Sequence, residues 1–254
     1  MTATLYEVNN GVATITLNRP DNRNALSTEL VDGLAAHVAQ AIADPAAHVI
    51  VLTGTGGTFC AGADLKERRT ATSEPGELPK FVRVFQQIQA SPKVVVGRIN
   101  GHALAGGLGL AAICDISIAP HSATLGFTEV RIGVAPAIIS VICLPKLRVA
   151  DAAELFLTGE RVGAARAAEV GLITKAVPDD QLDAAVAEVV AKIRLGGPIA
   201  LAKSKELLAK VPAFTDQTAA YHWTSEMSAA LFASDEGVEG MTAFSQKRKP
   251  RWAE

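Results

Sequence analysis

Two glycine-rich segments and one glutamate hold the residue types whose spacing could do chemistry in this chain. Gly54-Thr55-Gly56-Gly57-Thr58-Phe59-Cys60-Ala61-Gly62-Ala63-Asp64 follows an apolar run at residues 49–53, and a second cluster at 101–109 follows another at 94–99. Small residues leave peptide N–H groups bare. Near Ala63 and Gly106 two such groups could converge on one oxygen, with a helix beginning at Gly106 adding its positive end. That combination is an oxyanion hole, in which one donor is worth about 2.7–4 kcal/mol of transition-state stabilisation. The competing reading is that the glycines only permit tight turns and close packing.

Two nucleotide readings fit poorly. Gly57 and Gly62 have the spacing of a phosphate-binding loop, but Ala63 and Asp64 stand where a lysine and a metal-binding hydroxyl are needed, and a carboxylate there repels phosphate. Gly107-Leu108-Gly109-Leu110-Ala111-Ala112 fits G-x-G-x-x-A, yet a dinucleotide fold puts its first glycine directly after the strand, whereas seven residues separate Ile99 from Gly107. A nicotinamide-dependent oxidoreductase is therefore the weaker alternative.

Among ionisable groups, Glu129 could shuttle a proton if neighbours such as Phe127 and Ile132 raise its pKa; otherwise it is a solvated or paired residue. Asp115, at the start of a buried run, suits a structural hydrogen bond. Cys60 and Cys114 could be nucleophiles beside His102, but no protease pattern surrounds them and buried thiols are mostly inert. His37, His48, His102, His121 and His222 show no metal-binding spacing, so no metal is expected.

The elements that must position these groups follow from periodicity. Residues 4–8 and 12–18 are β-rich and flank Asn9-Asn10-Gly11, which predicts a hairpin with positive φ at the turn. Leu30, Leu34, Val38 and Ile42 recur every four residues behind Ser27 as cap and Glu29 in the first turn, which predicts an amphipathic helix. Apolar runs at 49–53, 93–99 and 115–119, separated by helical pattern, predict a buried sheet with crossovers. From about Val149 the chain turns helical: Leu182, Val186, Val189, Val190 and Ile193 make one stripe, and 199–211, 216–233 and 235–247 read as further helices. Their apolar residues, among them Leu207, Leu208, Phe232, Met241 and Phe244, need a partner surface in this chain or another subunit. No internal repeat is evident, and residues 70–79 are the best candidate for a mobile loop.

Composition bounds the rest. The chain has 254 residues, with 24 Lys+Arg against 26 Asp+Glu and 49% hydrophobic residues, values that exclude disorder and argue against a nucleic-acid partner. Three cysteines make no disulfide framework and point to a reducing compartment, cytoplasmic by default. Residues 1–7 lack the features of a signal peptide, and residues 94–110, the most apolar window, are interrupted by Arg98, Asn100, His102 and glycines, so no membrane span is expected. Lys247, Arg248, Lys249 and Arg251 form one basic cluster near the end; the last three are expected to be solvated.

An ordered set of motifs then resembles the crotonase superfamily, the enoyl-CoA hydratase/isomerase family. It comprises Asn18-Arg19-Pro20 with Asn24-Ala25-Leu26, Phe59-Cys60-Ala61-Gly62-Ala63-Asp64-Leu65, Asn100-Gly101-His102-Ala103-Leu104-Ala105-Gly106-Gly107, Cys114-Asp115-Ile116, residues 127–136, and Ala243-Phe244 with Lys247-Arg248-Lys249. Together they cover nearly the whole chain. The resemblance implies an α/β fold, a spiral of ββα units over residues 1–196 followed by a C-terminal helical trimerisation region at 197–254, assembled as a homotrimer or a dimer of trimers. It implies that the N–H groups of Ala63 and Gly106 hold the thioester oxygen of an acyl-CoA. Arg23, Ala25, Leu26, Ala61, Asp64, Leu65, Gly107 and Gly109 would lie along the substrate or CoA. Phe244 and Lys247 would reach the nucleotide end of CoA, often from a neighbouring subunit. Coenzyme A is then part of the substrate, and no separate cofactor is expected.

Hydratases of this family place two glutamates around the substrate. Glu129 matches the second; the first position is Gly109, which has no side chain to move a proton, and loss of one such group ordinarily costs ~10²–10⁴ in rate. The stretch Thr128-Glu129-Val130-Arg131-Ile132-Gly133 with Pro136-Ala137-Ile138-Ile139-Ser140 resembles bacterial family members acting on branched substrates such as methylglutaconyl-CoA, which also carry glycine at that place. The leading expectation is an enoyl-CoA hydratase in which the space at Gly109 admits substrate bulk or a substrate carboxylate that Arg131 could pair. The alternatives are a 3,2-enoyl-CoA isomerase working with Glu129 alone and a non-catalytic acyl-CoA-binding protein.

Overall fold

The computed structural model of the protein describes residues 2–69 and 78–253. The chain opens with β1 (Thr4–Asn9) and β2 (Val12–Leu17), an antiparallel hairpin whose turn residues Asn10 and Gly11 take φ of 48° and 77°. Positive φ at both central residues matches the right-handed twist of the flanking strands. Helix α1 (Thr28–Ala43) begins as expected, with Ser27 Oγ accepting from Leu30 N at 3.3 Å, and it buries Leu30, Leu34 and Val38 together with Ala41; Ile42 is only half-buried.

Three ββα turns follow. β3 (Val49–Gly54) and β4 (Thr58–Cys60) lead to α2 (Leu65–Arg68) and α3 (Lys80–Ala90); β5 (Val94–Arg98) and β6 (His102–Leu104) lead to α4 (Gly106–Ile113). β7 (Ile116–Pro120) and β8 (Thr124–Gly126) lead through a short 3-10 turn at Thr128–Ile132 to α5 (Ala137–Cys143). In each turn a long strand joins one sheet and a short strand joins another. After α6 (Val149–Thr158), β9 (Arg161–Gly163), α7 (Ala164–Glu169) and β10 (Lys175–Val177), the sheets are complete, in the orders β1-β2-β3-β5-β7-β10 and β4-β6-β8-β9. The repetition is one of topology; no matching repeat is visible in the amino-acid sequence.

The smaller sheet was missed by periodicity. Its strands have three residues each, too few to show a period of two, and two of them lie inside the glycine-rich segments. The central strands β3, β5 and β7 of the large sheet were legible because they are covered on both faces and so read as unbroken apolar runs, whereas the three-residue β10 was missed. Ile50, Leu52 and Val95 point into the main core with α1, α3 and α4, while Val49, Val51, Val94 and Val96 point the other way onto α8 (Leu182–Ile193) through Leu182, Val186 and Val190. Each fully buried Leu, Ile or Val contributes about 1.5–3 kcal/mol.

Helices α9 (Pro198–Lys210), α10 (Gln217–Ala233) and α11 (Asp235–Ser245) end the chain. One polar contact ties α9 to the core: Lys205 Nζ, nearly buried, lies 2.7 Å from Asp115 Oδ2 and donates to the carbonyls of Lys93 and Ile88. Asp115 Oδ2 also accepts from Val95 N at 2.7 Å, the structural role expected of it. Arg248 and Arg251 are exposed, as expected, and also meet the buried Glu239; Arg248 bonds both carboxylate oxygens at 2.7 and 3.0 Å. Those guanidinium hydrogen bonds hold the Glu239 carboxyl at a pKa of about 2. No helix among the described residues is long and apolar enough to cross a membrane.

Candidate active site

The two glycine-rich segments meet because β4 and β6 are hydrogen-bonded neighbours. Gly62, just past β4, has φ of 92°, and a Cβ there would lie 2.8 Å from Ala105 Cβ and 3.1 Å from Gly106 N, so only glycine allows this approach. On the facing chain, Ala105 takes φ 50°, ψ −126°, a conformation costly for an L side chain, and turns the backbone sharply from β6 into α4. Gly106 is the first residue of α4, so its N–H has no acceptor inside the helix. Ala63 N lies 3.8 Å from the place a Gly106 Cβ would take, and among the described residues neither N–H donates to a protein acceptor. Two bare donors thus sit side by side at the positive end of a helix.

The first segment is held by side-chain amides. The fully buried Asn24 accepts from Arg19 N and donates to the carbonyls of Thr55 and Thr58 at 3.0 and 2.8 Å. Asn100 accepts from Gly54 N and donates to Gly56 O, tying the second segment to the first. Leu26 N donates to Gly62 O at 2.7 Å and Ala61 N to Arg23 O at 3.0 Å, which seats residues 23–26 against the loop carrying Ala63.

Ala63 and Gly106 open into a cavity of about 680 Å³ that Glu129 also lines. Glu129 sits on the 3-10 turn after β8, rather than on a strand end. It is half-buried, its Oε2 has no hydrogen-bond partner, and burial pushes its carboxyl above the ordinary range. An unpartnered carboxylate oxygen in an apolar wall costs stability unless something polar meets it. The remaining walls are mostly apolar, from Phe81 on α3 and Ile132, Val134 and Ile138 around α5, with Arg68, Arg131 and Arg161 also at the lining.

The cavity brings together Leu26, Ala61, Ala63, Leu65, Gly106, Glu129 and Arg131 of the residues read from sequence. It does not include the other seven. Arg23 is a left-handed turn residue, Ala25 is buried, and Asp64 caps α2 while accepting from Asn22 Nδ2 at 2.8 Å. Gly107 lets α4 lie against Cys60, and Gly109 faces Ile139. Phe244 and Lys247 stand at the exposed end of the helical tail.

One expectation is overturned. The space at Gly109 does not admit substrate, because the side chains of Ile139 and Phe85 already fill it. The expected loop at 70–79 lies mostly outside the described residues; Pro79 is on the cavity wall. Sequence reasoning missed Arg161, Phe81 and the α5 residues, since their approach depends on β9 pairing with β8 and on α3 packing beside α4, for which no local signal exists. The cysteines behave as expected of buried thiols: Cys60, Cys114 and Cys143 are free, and burial pushes each up to about 12, while His102 Nδ1 is engaged with Thr124.

The family model described as enoyl-CoA hydratase/isomerase matches residues 7–254. The chain belongs to the enoyl-CoA hydratase/isomerase family. It is 35% identical over 244 residues to the mitochondrial enoyl-CoA hydratase of Pongo abelii, covering 95% of this chain and 83% of that one. Among solved structures it superposes on an enoyl-CoA hydratase of Mycobacterium smegmatis with a TM-score of 0.92 at 32% identity, covering 99% of both chains. An enoyl-CoA hydratase/isomerase of Marinobacter aquaeolei gives 0.91 at 33% identity with the same coverage. The crotonase fold, two mixed sheets followed by C-terminal helices, and the assignment as a family enzyme acting on acyl-CoA are thereby established.

Proposed function

We propose that the protein is an enoyl-CoA hydratase acting on branched or carboxylated 2-enoyl thioesters, methylglutaconyl-CoA among them, with Glu129 as its only acid–base side chain. The observation that carries this is the buried, unpartnered Oε2 of Glu129 on the same cavity wall as the bare N–H groups of Ala63 and Gly106. The thioester oxygen accepts from both amides. Glu129 takes a proton from water as the water oxygen bonds to C3, and the electron pair of the C2–C3 double bond moves to the thioester as an enolate stabilised in the hole. The protonated carboxyl then delivers that proton to C2, so one water is added and Glu129 is regenerated. A carboxyl with a raised pKa suits both halves of the cycle.

The apolar filling at Gly109 favours a second reading, 3,2-enoyl-CoA isomerisation. Glu129 would remove a proton from C2 of a 3-enoyl thioester and return it to C4, with no water needed. The reactions differ in sign at the conjugated thioester absorbance: hydration consumes it, isomerisation creates it. Loss of absorbance with 2-enoyl thioesters, with hydroxyl addition seen in the product, supports hydration; appearance of absorbance from 3-enoyl thioesters alone supports the second reading.

The exposed apolar side chains of the tail, including Leu208, Tyr221, Phe232 and Phe244, support assembly into a homotrimer or dimer of trimers, in which Phe244 and Lys247 would reach a neighbour's CoA. Light scattering coupled to gel filtration gives the mass of the assembly directly. A monomer at micromolar concentration would overturn this part.

A further inference from the structure

The cavity carries more positive charge than its carboxylate uses. Arg131 and Arg161 both line it, and among the described residues neither takes part in an ion pair. Asp151 and Glu154 both take Arg166, and the neighbouring Glu160 forms no ion pair with Arg161. Glu129 forms no ion pair with either arginine, and its Oε2 has no hydrogen-bond partner among the described residues. Arg131 Nε makes one long contact to Thr158 O at 3.4 Å, leaving its terminal nitrogens open.

Their place in the fold says which part of a substrate they meet. Arg161 pairs in register with Gly126, which pairs with Leu104, so Arg161 stands two ladder spacings, about 10 Å, from the strand that leads to Gly106. Gly126 lies three residues before Glu129, and Arg131 two after it. Arg131 therefore comes from the turn that carries Glu129, and Arg161 from the strand paired with β8, which leads into that turn, whereas Leu26, Ala61 and Leu65 come from the segments around Ala63. Ile132, Ile138 and Ile139 add apolar lining to the same cavity. In such surroundings a guanidinium–carboxylate contact is stronger than at an open surface.

We infer that Arg131 and Arg161 are specificity residues that hold an anionic group, a carboxylate, at the far end of the acyl chain. This rests on the acyl-CoA reading above and extends the carboxylate contact expected of Arg131 to a two-arginine site completed by Arg161. The same chemistry could come from a CoA phosphate, so the test compares ligands that differ only in the acyl chain. Glutaryl-CoA and pentanoyl-CoA have equal chain length, carry no double bond and are not turned over, so binding is read without catalysis. Calorimetric titration is expected to show glutaryl-CoA binding at least about tenfold tighter, the scale of one charge-assisted hydrogen bond. In Arg131→Gln and Arg161→Gln that ratio is expected to fall toward one, and Arg161→Lys to recover part of it.

Equal affinities in the unsubstituted protein overturn the inference. So does an equal weakening of both thioesters in the Gln variants, which would assign the arginines to CoA phosphates. A preference for glutaryl-CoA in a protein that hydrates nothing would leave the inference standing while the hydratase reading failed. Binding of neither thioester would remove the acyl-CoA site itself.

Discussion

The side chain of Ile139 occupies the volume that any side chain at Gly109 would need: a Cβ on Gly109 would lie 3.0 Å from Ile139 Cβ, closer still to its Cγ2, and 3.3 Å from Phe85 Cζ. The two positions are one packing unit, glycine on α4 and isoleucine on α5. Family hydratases with two glutamates carry the first on this face of α4. In this chain that ground is apolar and filled, which leaves Glu129, among the described residues, alone among carboxylates on the cavity wall.

This coupling is measurable. Gly109→Ala in a helix would ordinarily gain close to 1 kcal/mol, but the overlap with Ile139 reverses the sign and gives a net loss of about 1–3 kcal/mol. Ile139→Ala alone costs about 2–5 kcal/mol through the cavity it leaves. Combined, the two are expected to cost less than their sum by at least about 0.5 kcal/mol in urea unfolding. Strict additivity would mean that the side chains do not compete for the same space.

Glu129→Gln keeps the shape and removes the titration. Turnover of enoyl thioesters is expected to fall by roughly 10²–10⁴, with thioester binding retained. In the unsubstituted enzyme, activity should decline on acidification with a midpoint above the ordinary glutamate value, because burial favours the neutral carboxyl.

The same shift sets a stability trend. Between the unfolded and folded pKa values of Glu129 the folded state binds more protons than the unfolded state, so stability falls as pH rises through that window. Glu129→Gln should flatten that fall and be the more stable protein at neutral pH. A variant less stable than its parent at pH 7 would show that the carboxylate is satisfied after all.

Ala105, at φ 50° and ψ −126°, stores backbone strain where β6 turns into α4. Ala105→Gly is expected to raise stability by about 1 kcal/mol, since glycine takes this conformation without penalty. A lowered melting temperature for the glycine variant would mean that the Ala105 methyl packs more favourably than the turn strains it.

Lys205 and Asp115 tie α9 to the core across residues far apart in sequence. Lys205→Met leaves the Asp115 carboxylate with Val95 N but no cation, and a loss of roughly 3–5 kcal/mol is expected in denaturant unfolding. Asp115→Asn in the Lys205→Met background should recover part of it. If Lys205→Met is neutral, water rather than the lysine satisfies the carboxylate.

What could be read without coordinates was whatever repeats at short range. The hairpin turn at Asn10-Gly11, the Ser27 cap, the doubly covered strands and the helices of the last third each announce themselves within a window of a dozen residues, because backbone conformation and amphipathic period are local properties. Ala63, Gly106 and Glu129 could be singled out because their motifs occur in order along the chain. Tertiary structure decided the rest. Strands of three residues carry no periodic signal, so the small sheet that brings Ala63 beside Gly106, and Arg161 toward Glu129, exists only through pairing. Whether Gly109 leaves a hole or meets a neighbour depended on Ile139, thirty residues on, whose side chain reaches α4 only once α5 has folded back. Burial, and with it the charge state of Glu129, is likewise a property of the assembled walls, since desolvation is the sum of contacts from segments that no local stretch of sequence joins.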